Sequence, residues 1–377
     1  MKKVLLTSTA LVAFAGAAAA EVSLSGWAEM GVIGGSDITS QFFNDVDVDF
    51  TLSGETDGGL TFGANVDLDE AGDNLGNETD DMGIDVFVSG EFGTVTLGDT
   101  DGALDWALTD PAGVGSPGTI ADDETAHWGR QDTYLDGSYD GQILRYDYSY
   151  EDFGFAISIE QDDTSDYALD EQDRDAYDYL WAIGAKWSPE LGAGLLKLGI
   201  GYQEGDFGEV GFGLTDQMVD DLSEIVADAS EEDQDALSAI FGFRANSDEA
   251  DELTVALGEN TKVWGLSAAY EMDNGFSVGA VYSQWDGDNV EGDHWAIGAG
   301  YTFDAFTIHA NYGEHSFEGD SGGELDTDGY GVALGYDLGG GLSILGGYGK
   351  SEYDIKVGDV DASDDFDTWS LGLSMSF

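Results

Sequence analysis

The sequence predicts an all-β protein, a sixteen-stranded antiparallel up-and-down barrel that crosses a membrane. Three observations predict it. Apolar and polar residues alternate with period two in segment after segment; the segments come to about sixteen, an even number; and short turns alternate with longer Asp- and Gly-rich connections. An extended strand sends successive side chains to opposite faces, so each segment has one apolar face and one small or polar face. Past the first twenty residues nothing approaches the roughly 20 apolar residues of a spanning helix, so any membrane form must be a closed barrel.

In chain order, residues 1–20 read as a signal peptide. Lys2 and Lys3 form the charged start, Val4 to Gly16 an apolar run, and Ala18, Ala19 and Ala20 a small-residue cleavage site. The barrel domain is then 21–377, beginning at Glu21. Its first segment is Val22–Ile33. In 45–53, Val46, Val48, Phe50 and Leu52 oppose Asp45, Asp47, Asp49, Thr51 and Ser53. In 60–68, Leu60, Phe62, Ala64, Val66 and Leu68 oppose Thr61, Gly63, Asn65 and Asp67. Ile84–Ser89, Val95–Gly98, 144–150, 153–159, 177–187 and 196–202 continue the pattern. The C-terminal third adds 264–272, 276–282, 295–303, 306–312, 330–338 and 342–348. It closes with Trp369, Leu371, Leu373, Met375 and Phe377 on one face and Ser370, Gly372, Ser374 and Ser376 on the other.

Short turns (Ser53–Gly59, Ser89–Gly93, Glu151–Asp152, Ser188–Gly194, Asp273–Gly275, Asp304–Ala305, Gly339–Gly341) alternating with long loops predict one tight rim and one loose rim. A soluble sandwich gives no reason for that, and its inward face would be the apolar one. Tyr, Trp and Phe cluster towards segment ends, where interface girdles belong. Without Lys2 and Lys3 the balance is 9 basic against 78 acidic residues, or −69, which excludes nucleic acid as a partner and implies attendant cations. Such self-repulsion is tolerable where salt screens it. Zero cysteines exclude disulfides and thiol chemistry.

A chain ending on Phe377 resembles bacterial outer-membrane barrels, whose assembly machinery reads a terminal aromatic as its signal. The Glu21-Val-Ser-Leu-Ser-Gly opening, Leu52-Ser-Gly-Glu-Thr-Asp-Gly-Gly-Leu-Thr-Phe-Gly, Thr96-Leu-Gly-Asp and Gly335-Tyr-Asp-Leu-Gly-Gly-Gly then make the whole chain similar to the general porins of alphaproteobacteria. That resemblance implies a homotrimer of barrels in the outer membrane, set in its lipid. Each barrel would have an aqueous pore narrowed by an inward-folded third loop and passing small hydrophilic solutes and ions.

Parity then gives the pore wall: Glu29, Asp45, Asp47, Asp49, Asp67, Asp85, Asp147 and Glu271, with Arg145, Lys186 and Lys197 as the few cations. Relatives usually set basic wall residues against loop carboxylates. Asp45 and Asp47 stand where part of that basic cluster is looked for, so an acidic, cation-preferring pore is expected instead. The constriction loop should be 98–141, carrying Asp99, Asp101, Asp105, Asp110, Asp122, Asp123, Glu124 and Arg130, with Pro111 and Pro117 stiffening it. One sign of charge in a narrow passage concentrates counter-ions; single acids there also read as ordinary solvated loop charges. Arg130 and Arg145 are the cations expected to face the loop, unless they pair with Asp132 or Asp147.

The region 203–261 should be a long external loop with a helical hairpin, since Leu214, Met218, Val219, Leu222, Ile225, Val226 and Ala229 recur at helical spacing. It reads as an inert lid, a partial gate or a receptor site. His127, His294, His309 and His315 have no metal-ligand spacing, no nucleophile elbow occurs, and no catalytic site is read. His309, alternating with Ile308 and Ala310, is expected to face the lumen. No cofactor is expected, calcium at Asp286-Gly-Asp-Asn or Asp320–Asp328 being a weak signal without the EF-hand pattern. Two other readings stay open: a secreted acidic calcium-binding β-protein or adhesin, and a barrel serving as surface receptor or anchor.

Overall fold

A computed structural model describes residues 21–36, 39–69, 83–130, 134–136, 142–161, 179–205, 209–213, 230, 252–257, 260–288, 290–320 and 322–377. The expected signal peptide and helical hairpin lie outside the described residues. The strands are β1 (Glu21–Gly35), β2 (Gln41–Glu55), β3 (Thr61–Asp69), β4 (Ile84–Gly90), β5 (Gly93–Gly98), β6 (Ile143–Tyr150), β7 (Phe153–Gln161), β8 (Tyr179–Trp187), β9 (Gly194–Gly205), β10 (Glu209–Gly213), β11 (Glu252–Ala256), β12 (Thr261–Met272), β13 (Phe276–Asp286), β14 (Val290–Phe303), β15 (Phe306–Gly319), β16 (Glu324–Gly339), β17 (Leu342–Val357) and β18 (Val360–Ser376). One short helix, α1 (Ala103–Ala107), follows β5. Sixteen of the strands form a closed antiparallel barrel in which β9 pairs with β12 and β18 returns to β1. The remaining two, β10 and β11, pair with each other within the long 203–261 connection, where no strands were expected.

The alternation sets the faces. Along β2, Phe42, Val46 and Leu52 are exposed on the outer surface, while Phe43, Asp45, Asp47 and Asp49 point inward. The outer surface carries aromatic pairs towards both ends of the strands. Phe303, Phe306 and Tyr336 stack near one rim, and Trp264 with Tyr282, Trp295 with Tyr312 and Tyr330 with Tyr348 lie towards the other. Ring edges at these two levels suit the headgroup regions on either side of the hydrocarbon.

The C-terminal third departs from expectation. Long loops were expected between its segments, but β16 and β17 run for 16 residues each and β18 for 17, well past the roughly 9–11 that cross a bilayer. The extensions keep the period and exchange the faces. On β17, Tyr353, Ile355 and Val357 point inward and are buried, while Glu352, Asp354 and Lys356 point outward. Charges on the outer face place this part beyond the hydrocarbon, where water bathes the outside and an apolar interior becomes favourable. Val263, Trp285, Val290, Phe317, Leu325, Val360 and Ala362 complete that interior, joined by Trp128 and Leu135 of the third loop and by Val255 and Leu257. The stretch Asp320–Asp328, read as a loop with a weak calcium signal, is in part strand by the same fact. Residues 324–328 are strand, with Leu325 and Thr327 buried inside and Asp326 and Asp328 on the opposite face.

Candidate functional site

The third loop folds into the barrel and follows its inner wall. α1 lies against β7, β8 and β9. Leu108 then sits on Gly265 of β12, Pro111 on Gly298 of β14 and Pro117 on Gly335 of β16, and Ile120 reaches Gly31 of β1 and Gly372 of β18. There the chain reverses at Asp122, in the left-handed region with a φ of 50° that aspartate tolerates better than most residues. The return limb passes β17, β16 and β15 until the Leu135 amide donates to Gln203 Oε1 of β9 (3.2 Å). Glycines make this track. Gly184, Gly199, Gly298, Gly313, Gly331 and Gly349 lie against the carbonyls of Ala103, Ala107, Pro111, Gly129, Glu124 and Asp123, and a Cβ at any of them would overlap loop backbone. The tip is pinned by Ile120 packing with Ile33, Phe43 and Leu345.

Where the loop stays off the wall, carboxylates face one another. A cavity of about 490 Å³ is lined from the wall by Asp49, Asn65, Asp67 and Asp85 and from the loop side by Asp99, Asp101, Asp105 and Asp136. The carboxylates of Asp47, Asp49 and Asp67 come within 4.8 Å of one another, a spacing one hard cation bridges with oxygen ligands. Oδ1 of Asp45 and of Asp67 is shielded from solvent and receives no hydrogen bond within the protein. Asp85 is held by the Asn65 side-chain amide (2.9 and 3.1 Å). Next along the wall, Glu29 and Asp45, register partners on β1 and β2, lie within electrostatic reach of Asp122 at the loop tip. Asp122 keeps an exposed face, but loss of hydration in this crowded corner, with Glu124 beside it, pushes it up to about 6. Burial, with Asp105 beside it, likewise holds Asp136 well above the usual carboxylate range, although the Gly102 amide (2.6 Å) and Gln203 donate to it.

The cations are tied elsewhere. Arg145 donates to the Asp101 carbonyl (2.6 Å) and lies 3.6 Å from Asp147. Lys186 sits 3.5 Å over the Trp106 ring and donates to its carbonyl. Lys197 pairs with Glu271 at 2.6 Å, and Arg130 with Asp110 at 3.0 Å. The wall list therefore splits. Glu29, Asp45, Asp47, Asp49, Asp67 and Asp85 gather on β1–β4, whereas Arg145, Asp147, Lys186, Lys197 and Glu271 form the mixed-charge sector of β6–β12.

Two loop residues expected at the pore are not there. Asp123 and Glu124 are buried beneath the loop tip, because the reversal at Asp122 turns them into the wall. Glu124 accepts from Thr119 Oγ1 (2.6 Å) and Ser116 Oγ (3.1 Å), and the Asp123 amide donates to Thr119 Oγ1 (2.9 Å), with Ser370 and Thr368 near its carboxylate. Burial still pushes Asp123 upward. Asp136 was missed from the sequence; no local pattern marks it, and only the return of the loop to Gln203 brings it to the cavity. His309 points inward as expected but is fully covered by the loop.

The comparisons agree with this geometry. A family model described as Gram-negative porin matches residues 7–374. A porin of Rhodobacter capsulatus is 31% identical over 341 residues, covering 88% of this chain and 95% of that protein. Among solved structures, a refined porin shares 23% identity at a TM-score of 0.59, over 95% of this chain and all of that one. The loop-deleted OmpT of Vibrio cholerae shares 12% at a TM-score of 0.58, over 95% of this chain and 99% of that one.

Proposed function

The chain belongs to the Gram-negative porin family, and from that premise we propose that its pore prefers cations, with the carboxylates of β1–β4 and the facing loop as the selective element. It is a bacterial outer-membrane β-barrel that lets small hydrophilic solutes diffuse passively, a channel rather than an enzyme. The observation that carries the preference is the single sign of charge on the cavity lining. Asp49, Asp67, Asp85, Asp99, Asp101 and Asp105 line one cavity, and among the described residues no basic side chain lines it. A passage lined with one sign of charge raises the concentration of counter-ions within it. The proposal extends to a homotrimer and to a leader, residues 1–20, removed ahead of β1.

The test is the reversal potential of detergent-purified protein in a planar bilayer under a potassium chloride gradient. A potential of cation sign, with conductance rising in threes, supports pore preference and trimer together. A potential near zero or of anion sign would remove the acidic eyelet as selector while leaving the channel in place.

A further inference from the structure

All four histidines of the chain meet between the third loop and the inner faces of β14 and β15, His309 beneath the outgoing limb at Val114 and the others at the return limb, and none lines the acidic cavity. His127 comes from the loop, His294 from β14, and His309 and His315 from β15; all are buried. They hold the loop by its backbone. His294 Nε2 donates to the Gly129 carbonyl (3.2 Å) and His315 Nδ1 to the Trp128 carbonyl (2.9 Å). The Gly129 amide donates to His127 Nδ1 (3.1 Å), and His127 Nε2 donates to Asn311 Oδ1. Asn311 Nδ2 then donates to the Glu124 carbonyl (2.7 Å) and to His309 Nε2 (3.3 Å).

Two of the ring nitrogens in this network accept hydrogen bonds and so require neutral rings. His127 Nδ1 and His309 Nε2 must accept, so a proton on either would set one N–H against another. The rings of His294 and His315, register partners, stack with centroids 4.1 Å apart, where two imidazolium charges would repel. Among the described residues no carboxylate near the rings is without a partner of its own. Of the charged groups within electrostatic reach, Asp110 is paired with Arg130 and accepts the Ala112 amide, while Glu124 accepts the Ser116 and Thr119 hydroxyls. Asp293 and Glu314 alternate with the histidines on β14 and β15 and so belong to the opposite face of the sheet.

We propose that this histidine cluster is a pH-sensitive latch: neutral, it seats the return limb of the constriction loop on the wall, and protonated, it releases the limb into the lumen and lowers conductance. Burial holds the His127 ring below its ordinary value, so the seated loop binds fewer protons than a released one. Seating is thus fully present above the ordinary histidine value of about 6.5 and weakens as pH falls below it.

The chain has no cysteine, so spin labels at A126C on the loop and A310C on the outer face of β15 report one distance cleanly. Between pH 8 and 5 (about 1.5 units either side of the ordinary histidine value) that distance should change from one narrow population to a broad second one. Single-channel conductance should fall over the same range. Because Asp122 titrates nearby, the measurement is repeated with D122N: persistence of the change supports the histidines. An unchanged distance in the natural sequence, or a change abolished by D122N, overturns the latch. In H294Q/H315Q the midpoint should move to lower pH, and an unmoved midpoint removes the stacked pair from the device. Selectivity at neutral pH does not depend on the latch, so its failure leaves the cation preference standing.

Discussion

Replacing Asp45, Asp47 and Asp49 together with Asn removes three charges from the β2 wall without changing side-chain size. A permeating ion passing about 6 Å from a carboxylate gains about 0.7 kcal/mol from it in water-like dielectric. At 0.15 M salt, with a Debye length of about 8 Å, screening reduces that to about 0.3 kcal/mol per carboxylate, or about 1 kcal/mol for three. A cation then loses about fivefold in local concentration and an anion gains as much, so the cation-to-anion permeability ratio should fall about 30-fold. At 1 M, where the Debye length is about 3 Å, the same arithmetic leaves only about a threefold change. Reversal potentials at both salt levels measure this directly, and unchanged heat-modified gel mobility shows that the barrel has folded. An unaltered ratio at low salt would refute the assignment of these wall acids. A shift as large at 1 M as at 0.15 M would refute the through-space mechanism.

Asp122, pushed up to about 6, should carry its charge above that pH and lose it below. Cation preference should therefore weaken as pH falls through about 6, and D122N should flatten that step in a pH series of reversal potentials. Tyr353 is buried in the apolar interior above the loop, 5.8 Å between ring centroids from Trp128. Y353A should cost about 3 kcal/mol in that region, read as a lower thermal midpoint with altered tryptophan fluorescence. G298V would drive a side chain into the Pro111 carbonyl. The barrel should still form, but the displaced loop should change single-channel conductance; unchanged conductance would mean the glycine track does not set the loop's position.

Within the membrane span the sequence was readable, because one physical demand acts on each face. Lipid outside requires Phe62, Ile157 or Leu334, and the period-two rule assigns the opposite face by subtraction. Above the membrane the demand reverses. Phe317, Leu325, Tyr353 and Ile355 keep the strand period on the other parity, so a search for one continuous apolar face stops at Tyr312, Tyr330 and Tyr348 and reads loops beyond. The signal was present as alternation that changes face without changing period. Asp123 and Glu124 were harder: in a loop rich in acids, nothing local separates carboxylates that face water from those turned into the wall beside Thr119 and Ser370. Asp136 depends on a contact with Gln203, 67 residues away.

The position of the pore follows from two complementary inward faces. From β8 round to β1 that face offers glycine at the levels where the loop passes, and backbone approaches where there is no Cβ. On β2–β4 it offers Asp45, Asp47, Asp49, Asp67 and Asp85. The loop carries Asp99, Asp101, Asp105 and Asp122, and pressing it against those strands would bring like charges to about 4 Å, costing about 4 kcal/mol per pair at intermediate dielectric. The loop therefore lies on the glycines and keeps clear of the acids. The same carboxylates that hold the gap open line it, so the width of the passage and the proposed preference for cations rest on the same residues. Neutralising the β2 acids should then narrow the pore as well as weaken its selectivity, a coupling that conductance and reversal potential measured on the same channels would reveal.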